Sequence, residues 1–132
     1  MTRDDVQAWL DRYAAAWESY DPEAIGDLFS REATYRYHPW EPPVTGREAI
    51  VRSWVEPEGA GSSRDDPGTY EGAYQVYAVD GDRAVAVGTS TYWKDARRAT
   101  LDRLYHNVFL LEFDADGRCR SYTEIYEAQP SG

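Results

Sequence analysis

The chain has 132 residues, with 24 acidic against 14 basic side chains and a net charge of −10. That length fits one domain with one real core, so residues 1–132 are expected to form a single domain. An excess of negative charge gains nothing from phosphate backbones or anionic lipid, which argues against nucleic-acid and membrane partners.

No apolar run approaches the roughly 18 residues of a membrane helix. The opening Met1-Thr2-Arg3-Asp4-Asp5 is too acidic and polar for a signal peptide, so the expected location is cytoplasmic. The single Cys119 leaves no internal disulfide and no cysteine-cluster metal site. Eleven Tyr and five Trp exceed what a minimal core needs. They belong either to a tyrosine-rich β core or to half-wet surfaces such as pockets and subunit contacts.

In chain order, residues 2–20 read as a first helix. Thr2 and Asp5 form a capping-box pair, and Val6, Trp9, Leu10, Tyr13, Ala14 and Trp17 recur at helical spacing. Asp21-Pro22-Glu23 starts a second, short helix carrying Ile25, Leu28 and Phe29. Residues 33–38 alternate as a strand that ends at Pro39, and Thr45-Gly46-Arg47-Glu48 has the S/T-x-x-E form of a capping box opening a third helix. Residues 56–69, rich in Gly, Ser, Asp and Pro, read as one long loop. The rest is strand signal. Residues 70–79 and 83–94 flank Asp80-Gly81-Asp82, while 104–113 and 118–126 flank Asp114-Ala115-Asp116-Gly117, giving two hairpins. Helices followed by a run of strands read as α+β.

This order resembles the nuclear-transport-factor-2-like superfamily, in particular its SnoaL-like and ketosteroid-isomerase-like branch. The residues that carry the resemblance are the first helix ending in Trp17, then Asp21-Pro22-Glu23-Ala24-Ile25, Phe29 and Ala33-Thr34-Tyr35. They continue with the helix start at Thr45-Gly46-Arg47-Glu48-Ala49-Ile50 and the closing hairpin Phe113-Asp114-Ala115-Asp116-Gly117-Arg118. The resemblance implies a cone-shaped α+β barrel, with three N-terminal helices packed on a curved, mixed but mostly antiparallel sheet. It also implies a cavity between sheet and helices, and a homodimer packed through the outer sheet face. The fold hosts isomerases, cyclases, dehydratases, hydrolases and binding modules, so it names no reaction. Steroid isomerases of the branch carry a helix Tyr, which falls here on Tyr13. Their two carboxylates fall on Tyr37, with His38 beside it, and on Phe109; with both missing, steroid isomerisation is not expected.

The last strand places Tyr122, Glu124 and Tyr126 on one face, which the resemblance turns toward the cavity. A carboxylate between two phenols in an apolar cone has its charged form disfavoured by desolvation, which suits Glu124 to general acid or base work. The alternative is a structural carboxylate held by Arg, His or Tyr hydroxyls. His38, before Pro39-Trp40 at the expected rim, is read either as a base beside Tyr37 or as a strand-end residue. Tyr13, Trp17, Tyr35, Tyr37, Trp40, Trp54, Asn107, Phe109, Tyr122 and Tyr126 complete the expected cavity and its rim, some of them as ordinary core.

His106 falls on the other face. His38 and His106 lack the close helical spacing of a metal motif, so no metal is expected. Of Tyr92 and Trp93, on opposite faces of one strand, one is expected outside, where a Trp suits a dimer surface. Three readings stay open. One is a small-molecule-binding protein with cofactor-free acid–base chemistry on a small apolar or aromatic ligand. Another is a non-catalytic dimeric module that binds a ligand or a protein. The third is a structural domain whose cavity is filled by its own side chains.

Overall fold

The computed structural model describes residues 1–56 and 68–130. Of the expected loop 56–69, residues 57–67 lie outside that description. Helix α1 spans Arg3–Ser19, and its capping box forms as read: Thr2 Oγ1 accepts from Asp5 N, and Asp5 Oδ2 accepts from Thr2 N. Helix α2 (Pro22–Asp27) is capped by Asp21, whose carboxylate accepts from Glu23 N. Strand β1 covers Phe29–Arg36, beginning four residues and ending two residues before the expected 33–38, and a bulge between Phe29 and Thr34 interrupts its pairing with the last strand.

Strand β2 is only Val44–Thr45, and helix α3 is Arg47–Val55. The expected Thr45 capping box does not form. Thr45 pairs with Thr34 across β1–β2, and Gly46 N donates to Ala33 O, so the strand ladder holds Thr45 extended. Gly46, at φ 94°, becomes the N-cap instead, a conformation that favours glycine.

Strands β3 (Tyr70–Asp80), β4 (Arg83–Trp93), β5 (Leu101–Phe113) and β6 (Cys119–Ala128) follow. The six strands lie in the order β2-β1-β6-β5-β4-β3; β1 runs parallel to β6 and every other pair is antiparallel. The expected closed barrel is therefore incorrect: the sheet is open, with β2 and β3 as its two edges.

Helix α1 gives the physical reason. Its Gln7 side chain donates to Tyr74 O and accepts from Val76 N, and Arg3 donates to Val76 O. Side-chain groups thus satisfy the free backbone of β3 at its bulge, where a closing strand would otherwise pair.

The core lies between the helices and the concave face. Trp9 is fully buried, donates Nε1–H to Leu28 O, and packs edge-on against Phe29 and Phe113. Among the described residues no helix is long and apolar enough to cross a membrane.

Candidate functional site

Register decides which side chains face inward. Opposed residues share a face, so pairing Tyr74 with Gly88, Gly88 with Asn107, and Asn107 with Tyr126 lines up one concave row. Other rows of the same face join Ser90 to Tyr105, Tyr70 to Tyr92, and Phe109 to Glu124. Over this face sits a cavity of about 220 Å³. Helix α1 contributes Tyr13 and Trp17; the segment just past β1 contributes Tyr37 and His38; β6 contributes Glu124 and Tyr126. The remaining wall is Tyr70, Tyr74, Ser90, Tyr92, Tyr105 and Asn107.

Seven of the expected site residues thus line one cavity. Tyr35, Trp54, Phe109 and Tyr122 lie behind its floor as fully buried core. Tyr13 joins floor to core: it stacks on Trp9 and Tyr122 and meets Trp54 edge-on. Trp17 stacks on Trp54 at 4.1 Å. Trp40 stands 78% exposed at the rim and stacks on His38 at 4.7 Å. Tyr92 faces the cavity, and the Trp93 indole is half-buried with its Nε1 enclosed. His106 is exposed on the convex face, where Nε2 meets Gln129 Oε1 at 2.8 Å.

Five lining residues were not among the expected ones: Tyr70, Tyr74, Ser90, Tyr92 and Tyr105. Tyr105 was within reach, being two residues before Asn107 on the same strand.

Two hydrogen-bonded relays end on the cavity. In the first, Tyr122 donates to Glu124 Oε1 at 2.9 Å. With that proton committed, Tyr13 must be the donor in its 2.7 Å bond to Tyr122. In the second, Ser90 donates to Asn107 Oδ1 at 2.9 Å, so Tyr74 donates to Ser90 at 2.6 Å and Tyr70 to Tyr74 at 2.7 Å. A separate pair anchors Tyr37, which donates to Ser53 Oγ, itself a donor to Ile50 O.

Burial pushes the Glu124 carboxyl up to about 7, against the opposing pull of the Tyr122 hydrogen bond. No Lys, Arg or His lies within ion-pair reach of Glu124 among the described residues. His38 lines the same cavity; its Nε2 lies 3.9 Å from Glu41 Oε1, and its ring stands 5.3 Å from that of Tyr126. The phenols stay neutral: burial holds Tyr37 and Tyr74 at about 12, and Tyr13 and Tyr122 well above the usual value. The arrangement offers a half-buried carboxyl and an imidazole nearer the rim, flanked by neutral donors, in an aromatic cavity.

Tyr35 contrasts with Tyr122. Its ring stacks on Tyr122 at 4.1 Å, but its buried hydroxyl has no hydrogen-bond partner among the described residues. Tyr35→Phe is therefore expected to be neutral or to stabilise by up to about 1 kcal/mol, while Tyr122→Phe costs about 1–3 kcal/mol by stranding two partners. Tyr122→Phe also removes the one bond that lowers the Glu124 pKa, so that value is expected to climb further. Urea unfolding and carboxyl NMR titration of the two variants check both statements.

The sequence matches the family model for the SnoaL-like domain over residues 10–122. Among solved structures, it is similar to an NTF-2 like protein of unknown function from Burkholderia xenovorans LB400, with a TM-score of 0.64. That similarity covers 98% of this chain and 88% of the other at 16% identity, so it speaks for the fold alone. With the helices, mixed sheet and aromatic cavity already in place, the match over most of the chain settles its kinship: the protein belongs to the SnoaL-like family of the nuclear-transport-factor-2-like superfamily.

Proposed function

We propose that the protein binds a small apolar or aromatic molecule in this cavity and that Glu124 exchanges a proton with it, without a cofactor. The observation that carries this reading is a carboxyl with no counter-ion among the described residues, half-buried among aromatic rings and poised at about 7. A group with that proton affinity both takes and returns a proton near neutrality. The volume of about 220 Å³ favours one substituted ring. It exceeds the roughly 150 Å³ that holds benzene and falls short of the roughly 300 Å³ at which drug-sized pockets begin. Steroid isomerisation stays disfavoured, since Tyr37 and Phe109 occupy the branch's carboxylate positions. Because Trp17 lines the cavity and stacks on Trp54, tryptophan fluorescence reports occupancy. Titration with a panel of one-ring aryl ketones and lactones is expected to quench or shift that emission; a flat response across the panel rejects the reading.

The convex face supports a second reading, a dimeric module. Leu110 and Ile125 are 44% and 41% exposed there, beside half-buried Val85, Val87 and Val108. An apolar stripe of this kind suits a second copy of the chain. Leu110→Glu is then expected to lower the sedimentation coefficient from a dimer's to a monomer's. A wild-type protein that already sediments as a monomer removes the dimer.

A further inference from the structure

We propose that the cavity takes a small organic cation, a methylated ammonium group on an aromatic body, with the ammonium set against Glu124 and the surrounding rings. This rests on the reading above in that the cavity holds a small molecule, and it adds that molecule's charge. Movement of a proton by Glu124 is a separate step.

The charges on the lining carry the argument. Among the described residues around the cavity, Glu124 is the one carboxylate, and none is Lys or Arg. Its Oε1 accepts from Tyr122, a neutral partner. The His38 imidazole lies instead 3.9 Å from Glu41 and stacks on Trp40 at 4.7 Å. An anionic ligand would meet a carboxylate and no cation to offset it. A neutral ligand filling the hollow would displace water from Glu124 and leave its charge uncompensated. A cationic ligand supplies the missing partner, and their attraction strengthens as water leaves.

The rings add a second attraction. Tyr13, Tyr37 and Tyr74 each commit their hydroxyl to an internal bond, with Tyr122, Ser53 and Ser90 in turn. That holds whichever way each shared proton points, so these side chains offer a ligand chiefly ring carbon. On the more exposed side, Tyr126 meets Tyr105 edge-on at 5.2 Å, and Tyr105 meets Tyr92 edge-on at 5.9 Å. Aromatic cages of this kind suit methylated ammonium groups, because the face of each ring is negative. The same sheet face already holds one such contact. The Arg103 guanidinium, paired with Asp102, lies 4.2 Å from the Tyr92 ring centroid. The net charge of −10 further concentrates cations around the molecule.

Phenyltrimethylammonium and tert-butylbenzene test the assignment, since they share one shape and differ by a cationic nitrogen in place of carbon. Dissociation constants are read by tryptophan fluorescence in mildly alkaline buffer, above the value of about 7 at which Glu124 ionises. The wild type is expected to bind the cation about tenfold more tightly than the hydrocarbon. Glu124→Gln is expected to weaken cation binding about tenfold and to leave tert-butylbenzene binding within about twofold. Tyr126→Leu is expected to weaken cation binding about threefold, while Tyr126→Phe, which keeps the ring, leaves it unchanged. Should Glu124→Gln fail to fold, the Tyr126 pair decides.

A wild-type preference under about threefold overturns the assignment. So does a preference that survives Glu124→Gln unchanged, or Tyr126→Leu where that variant decides, because the cation then sits elsewhere on the acidic surface. In either case, binding of tert-butylbenzene leaves the small-molecule reading standing. A wild type that binds neither molecule overturns both.

Discussion

Glu124→Gln is expected to stabilise the folded protein above neutral pH while abolishing the proton transfer assigned to this residue. The carboxyl moves from an ordinary value of 4.5 to about 7 on folding, so the folded state binds a proton more tightly than the unfolded chain. Stability from this group is therefore fully present below pH 4.5, falls as pH rises from 4.5 to about 7, and is absent above that. The span corresponds to a loss of at most about 3 kcal/mol. Gln keeps a carbonyl to accept from Tyr122 and carries no charge to desolvate. Urea midpoints of mutant and wild type should separate above pH 7 and converge below pH 4.5. A separation that does not change with pH would contradict the burial of the charge.

Catalysis gives the complementary profile. With Glu124 as base, the rate should rise with pH through about 7. The phenols facing the carboxyl from α1, β3, β6 and the segment after β1 (Tyr13, Tyr74, Tyr122 and Tyr37) stay neutral throughout that range. A His38→Gln background removes the one imidazole lining the cavity among the described residues, so a step that persists there belongs to Glu124.

Gly88→Ala is expected to be among the most damaging single-methyl additions to the sheet. A Cβ at Gly88 would lie 2.1 Å from Ala73 O and 2.8 Å from Tyr74 Cα, which are backbone atoms of the paired strand and cannot swing aside. Relief requires β3 and β4 to part just where Tyr74 pairs with Gly88. The cost should reach or exceed about 3 kcal/mol, the upper end for overpacking. Gly72→Ala provides the contrast. Its Cβ would meet the Tyr70 hydroxyl at 2.2 Å and the Tyr74 ring at 2.6 Å, both side-chain atoms. That variant should fold with a smaller penalty yet disturb the Tyr70–Tyr74 bond. Thermal unfolding of the two proteins ranks them; equal losses would show that β3 yields as easily as a tyrosine ring.

How much of this was legible in the chain depends on how far apart the interacting residues lie. The α1 cap, its buried stripe through Val6, Trp9, Leu10 and Tyr13, the Asp21 cap and the two hairpin turns follow from neighbours a few residues apart. The same holds for the shared face of Tyr122, Glu124 and Tyr126, because alternation along one strand is a local property. Thr45 shows where local reading fails. Its motif was intact, but pairing with Thr34 competed for the same backbone and prevailed.

Backbone geometry and hydrophobic period act over a few residues, so the three helices, the five longer strands and the shared faces were readable in the chain, whereas the two-residue β2 and the start of β1 at Phe29 were not. Long-range packing set the open sheet, the place of Tyr35, Trp54, Phe109 and Tyr122 behind the cavity floor, and the joining of Tyr70, Tyr74 and Ser90 to Asn107 in one hydrogen-bonded chain. Those outcomes turn on cross-strand register, the β3 bulge and the docking of α1, which couple residues up to 109 positions apart and leave no local trace in the chain.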